Sequence, residues 1–82
     1  MIRRDIVIGN VPDGDVSVAA LLVQRAGKFS SSVYIEKGTK RINAKSIMGV
    51  MTLQLEKDET FTIAAEGDDE EEAAAAMEAF FA

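Results

Sequence analysis

Apolar residues at the start of the chain fall in phase with a period of two. Ile2, Ile6 and Ile8 would share one face, which predicts a half-buried strand over 2–8. Residues 9–15 hold Pro12 and two glycines and read as a turn. The period then changes: Ala19, Leu22, Val23 and Ala26 follow helical spacing, and Gly27 is a natural stop. Val33 and Ile35 lie on one face of a strand over 32–36. Lys37-Gly38-Thr39 turns the chain into a short strand that runs through Asn43. Ser46 precedes the compact apolar run Ile47-Met48-Gly49-Val50-Met51, which predicts one or two helical turns capped by Ser46. Phe61 and Ile63 alternate with Thr62 in a strand over 60–65. After Gly67 and a run of acids comes a last helix with Ala73, Ala76, Met77, Phe80 and Phe81 as its inner stripe.

The order β-α-β-β-α-β-α, without internal repeat, predicts one antiparallel sheet with three helices on a single face. That is an α+β two-layer domain. At 82 residues the chain is read as a single domain, 1–82, with room for one core. It has no Cys and no His, so neither a disulfide nor the usual metal staple is available. Stability must come from packing, for which a 48% hydrophobic composition is ordinary.

Charge and length narrow the function classes. The net charge of −5 repels phosphate backbones, and no direct nucleic-acid binding is expected. No apolar run approaches the ~20 residues of a membrane span, and the N-terminus lacks the features of a signal peptide. A cytoplasmic protein with no membrane partner is therefore expected. The five acids at 68–72 are read as a solvated helix start, where they also complement the helix dipole. No Ser-His-Asp set, metal cluster or P-loop is present. The residues imply no enzyme activity and no cofactor.

Three stretches carry a family resemblance. The strongest is Ile42-Asn43-Ala44-Lys45-Ser46-Ile47-Met48-Gly49-Val50-Met51; the others are Leu21-Leu22-Val23-Gln24 with Ala26-Gly27-Lys28-Phe29, and Ala65-Glu66-Gly67-Asp68-Asp69-Glu70. With the element order, they make the chain resemble the HPr phosphocarrier family of the bacterial sugar phosphotransferase system. The resemblance runs through the whole chain and implies an open-faced HPr-like sandwich. It also implies a regulatory serine at Ser46, phosphorylated by an ATP-dependent HPr kinase/phosphorylase, whose phosphoserine form is corepressor to a catabolite-control transcription regulator.

The departures from the family are as informative. Family carriers open the first helix with Gly-x-His-Ala-Arg-Pro-Ala, whereas this chain has Asp13-Gly14-Asp15-Val16-Ser17-Val18-Ala19. Asp15 stands in place of the histidine and Ser17 in place of the arginine. Phosphoryl transfer needs a neutral imidazole as nucleophile and positive groups around the phosphoryl oxygens. Asp15 and Ser17 supply neither, so these are degenerate active-site positions. The chain thus resembles the histidine-lacking, catabolite-repression members of the family.

Alternatives stay open at each position. Asp15 is either a helix N-cap or an acyl-phosphate acceptor. Ser46 is either a cap alone, in a serine-silent interaction module, or a regulated cap. Ile47, Met48 and Met51 are expected to be exposed partner contacts, with Val16 and Ala20 bordering the patch, while Val50 and Leu53 are expected in the core. Gly49 is expected to mark a close backbone approach.

Overall fold

The computed structural model describes residues 1–9, 18–53, 56 and 58–81. Most of the turn expected over 9–15, together with Asp15, Val16 and Ser17, lies outside the described residues. The elements are β1 (Ile2–Val7), α1 (Val18–Ala26), β2 (Ser32–Lys37), β3 (Lys40–Asn43), α2 (Ile47–Met51), β4 (Thr60–Glu66) and α3 (Glu70–Phe80). The four strands form one antiparallel sheet in the order β1-β4-β2-β3. The order and sheet anticipated from periodicity are those observed.

Register explains why the helices gather on one face. Because side chains alternate across a strand, cross-strand partners share a face. One set aligns Arg4, Ile63, Ile35 and Ile42; the next aligns Ile2, Ala65 and Val33, and Ile6 stands opposite Phe61. These apolar residues join Leu22 and Ala26 of α1, Val50 of α2, and Ala73, Ala74 and Met77 of α3 in a single core. Arg4 lies on this face at the sheet edge, where its guanidinium reaches Glu78 of α3 at 3.8 Å. Ile8 is fully buried one step past β1, and its N–H still donates to the Glu59 carbonyl at 2.9 Å.

The opposite face is polar. Asp5, Thr62, Glu36 and Arg41 stand in one cross-strand row. Thr62 donates to Asp5 at 2.8 Å, Arg3 donates to Glu36 at 3.1 Å, and the Arg41 guanidinium lies 4.1 Å above the Tyr34 ring. Ala64 belongs to this face by register yet is fully buried, between its partners Arg3 and Tyr34.

The last helix closes the core with aromatics. Phe81, just past α3, meets Phe61 edge-on at 5.1 Å and Phe80 at 4.8 Å. Edge-to-face pairs of this kind are worth about 0.5–1.5 kcal/mol beyond area burial. Ala73, Met77 and Phe81 are buried as the helical stripe predicts, Ala76 and Phe80 are half-buried, and Ala74 is buried in addition.

The acidic run needs correcting. Asp68, Glu71 and Glu72 are exposed as expected, but Asp69 and Glu70 are engaged. The Asp69 carboxylate accepts the Ser31 hydroxyl and the N–H groups of Ser30 and Ser31, at 3.0 and 2.9 Å for the two amides. The Ser31 hydroxyl first, then the Ser30 amide, hold its pKa at about 2. Glu70 accepts the N-terminal ammonium at 3.4 Å and the Gly67 N–H at 3.4 Å. This clasp brings the α1–β2 loop so close to Gly67 that a Cβ there would lie 2.7 Å from Ser31 Cα. Gly67 also has φ of +149°, a region nearly closed to other residues. Among the described residues no helix is long and apolar enough to cross a membrane.

Candidate functional site

The candidate site is the β3–α2 junction, and local hydrogen bonds build it. The Asn43 side chain accepts the Lys45 N–H at 2.9 Å, and the Asn43 carbonyl accepts the Ser46 N–H at 3.0 Å. This side-chain turn ends β3 and delivers Ser46 in an extended conformation, φ −102° and ψ 110°. The Ser46 carbonyl then accepts the Val50 N–H at 2.9 Å, the first bond of the helix. Ser46 Oγ accepts the Gly49 N–H at 3.3 Å, so Ser46 is the N-cap that the sequence predicts. At the far end, Thr52 closes this very short helix on the Gly49 carbonyl, donating to it both its N–H at 3.1 Å and its Oγ1 hydroxyl at 2.6 Å.

Tertiary contacts hold α2 by one side. Val50, 2% exposed, is its only buried residue, and Leu53 packs partly against the core behind it. Gly49 faces β3 so closely that a Cβ would lie 2.9 Å from Ile42 Cγ2, which is the close approach expected of it. Lys45 Nζ donates to the Phe29 carbonyl at 2.7 Å and so ties the junction to the loop after α1.

The outward side is apolar and open. Met48 is 79% exposed, Met51 66% and Ile47 44%, and all three belong to one helix of five residues. Spacings of three and four place Met51 beside both Met48 and Ile47. Burying such side chains is worth about 1.5–3 kcal/mol each, and here that free energy is left unrealised. Ser46 is exposed beside them. α1 packs against α2, and its Ala20 is half-exposed. The structure therefore brings Ser46, Ile47, Met48 and Met51 together on one surface, while Val16 falls outside the described residues.

No imidazole exists anywhere in the chain, so no His can act as a phosphoryl acceptor. Among the described residues, no group of three or more Asp or Glu is arranged to hold a metal ion. Two positioning contacts were not legible in sequence: Lys45 to Phe29, and Asp69 to Ser30 and Ser31. Both join segments at least sixteen residues apart, and nothing in local spacing marks them.

A surface serine capping a five-residue helix that packs on one face of an open antiparallel sheet defines a class of protein, and comparison with known proteins agrees. Residues 2–82 match the family model described as the PTS HPr component phosphorylation site, and the chain belongs to that family. It is 52% identical over 62 residues to the HPr-like protein Crh of Halalkalibacterium halodurans, covering 76% of this chain and 74% of that one. It is 47% identical over 62 residues to the HPr-like protein Crh of Bacillus subtilis, covering 76% and 73%. Among solved structures, HPr-C-His from Thermoanaerobacter tengcongensis superposes with a TM-score of 0.86 at 44% identity, covering 99% of this chain and 91% of that one. The chain is thus an HPr-fold paralogue similar to Crh proteins.

Proposed function

We propose that this chain is a non-catalytic regulator of carbon catabolite control, switched by phosphorylation of Ser46. An HPr kinase in the cytoplasm transfers the γ-phosphoryl group of ATP to Ser46 Oγ, releasing ADP. The phosphoserine form then docks on a catabolite-control transcription regulator. Ile47, Met48 and Met51 supply the apolar contact beside the phosphate, bordered by Ala20. The observation that carries the reading is the juxtaposition of an exposed serine with three exposed apolar side chains on one short helix.

The chemistry supports a switch in affinity more than a switch in fold. Phosphate oxygens on Ser46 still accept from the Gly49 N–H, so the cap survives modification. The charge adds one to three charge-assisted bonds to any partner Arg or Lys that meets it. The absence of histidine, with Asp15 and Ser17 at the degenerate positions, argues against phosphoryl relay.

The test is incubation of the purified protein with HPr kinase and ATP, followed by intact mass and mapping of the modified peptide. One phosphate on the Ser46 peptide is expected, and none on Ser46→Ala. If a genuine HPr is modified in parallel and this chain is not, the regulatory reading fails. A serine-silent interaction module then takes its place.

A further inference from the structure

The methionines fall into two chemical populations. Met77 is 0% exposed, enclosed between α3 and the sheet, whereas Met48 and Met51 stand in solvent one helical turn apart. Thioether oxidation follows access to the sulfur. Neither exposed side chain belongs to the core, which α2 joins through Val50. Oxidising them therefore changes the surface beside Ser46 without opening a cavity.

We propose that Met48 and Met51 form a paired oxidation site for peroxides, and that conversion to sulfoxides turns off the apolar patch next to Ser46. In the step, a sulfur lone pair attacks one peroxide oxygen, the O–O bond breaks and an S–O bond forms. Hydrogen peroxide leaves as water after proton transfer; sulfur is oxidised by two electrons and the peroxide is reduced by two. A sulfoxide reductase drawing two electrons from a dithiol reverses the change. Each sulfoxide places a strong hydrogen-bond acceptor where a partner must bury apolar surface. A partner that covers the patch then binds roughly ten-fold more weakly for each sulfoxide left unpaired. This consequence rests on the docking role proposed above for Ile47, Met48 and Met51; the chemical selectivity does not.

The experiment has two arms on the full chain. In the first, native protein is treated with hydrogen peroxide, quenched at intervals and mapped by peptide mass, beside the same protein in urea. Met48 and Met51 should oxidise roughly ten-fold faster than Met77 in the native protein, with the difference gone in urea. The thermal midpoint of the oxidised protein should stay unchanged. Equal native rates for Met77, or unfolding on oxidation, would overturn the proposal. In the second arm, Ser46-phosphorylated protein is titrated with the catabolite-control regulator before and after peroxide, beside Met48→Leu/Met51→Leu. That variant removes both sulfurs, so its affinity, set against its own untreated value, should not change with peroxide even though Met1 is also exposed. Unchanged binding of the oxidised wild type, or equal loss in the leucine variant, overturns the switch. Failure of unoxidised phosphoprotein to bind sinks the docking role and the switch with it, while the first arm still decides the oxidation site.

Discussion

Replacing Gly49 by alanine sets helix propensity against packing at one atom. In a helix interior, Ala is favoured over Gly by about 1 kcal/mol. Yet the new Cβ would lie 2.9 Å from Ile42 Cγ2, roughly 0.6 Å inside the closest comfortable carbon–carbon separation. Ile42 cannot yield cheaply: it is β-branched, and β3 is pinned by the pairs Ile35–Ile42 and Tyr34–Asn43. Overpacking of this kind costs about 1–3 kcal/mol. The packing cost should win, leaving Gly49→Ala destabilised by about 1 kcal/mol. For a domain of this size that lowers the thermal midpoint by about 4–8 °C. Ile42→Ala removes Cγ2, so in that background Gly49→Ala should instead stabilise, by up to about 1 kcal/mol. Urea unfolding of the four proteins, followed by circular dichroism, completes the double-mutant cycle. A coupling energy below about 0.3 kcal/mol, with Gly49→Ala acting alike in both backgrounds, would refute the close-approach argument.

Other outcomes follow from the same geometry. Ser46→Ala should cost about 0.5–1 kcal/mol in urea unfolding, at the low end for a cap because the bond to Gly49 is 3.3 Å and exposed, whereas Ser46→Asp should retain the cap. The Asp69 carboxyl is held at about 2 against an ordinary 3.8, so its stabilising contribution is complete above pH 3.8 and is lost as pH falls toward 2. Urea midpoints of the wild type should therefore fall more steeply than those of Asp69→Asn across that window, and parallel curves would remove the clasp from the account. Met77→Ala should cost about 2–5 kcal/mol by chemical denaturation, while Met51→Ala should stay within about 0.5 kcal/mol. Given phosphoenolpyruvate and the first enzyme of the phosphotransferase system, the chain should take up no radiolabel. Asp15→His alone should recover little, and Asp15→His with Ser17→Arg more, because phosphoryl oxygens need a cation as well as a nucleophile.

Much of the fold was legible because its physics is local. The period-two and period-3.6 patterns set the strands and helices, and the breaks at Gly27, Gly38 and Gly67 punctuate them. Ser46 could be read as a cap because capping needs only a hydroxyl three residues ahead of a free N–H. The same local logic missed the division of labour within the acidic run. Five consecutive acids look alike in sequence, and only the approach of the α1–β2 loop singles out Asp69 to receive Ser30 and Ser31.

By itself, then, the chain's order of residues determined the succession of elements, the absence of an imidazole, and a serine followed by an apolar helical turn. Tertiary structure decided which of those apolar residues reach water. Ile47, Met48, Val50 and Met51 are equally greasy, but the anchor of α2 on the core is Val50, with Gly49 pressed against Ile42. Those contacts orient the helix and turn both methionines outward beside Ser46. A five-residue helix has too few turns for its own periodicity to choose a buried face, so β3 and α1, against which it packs, make the choice.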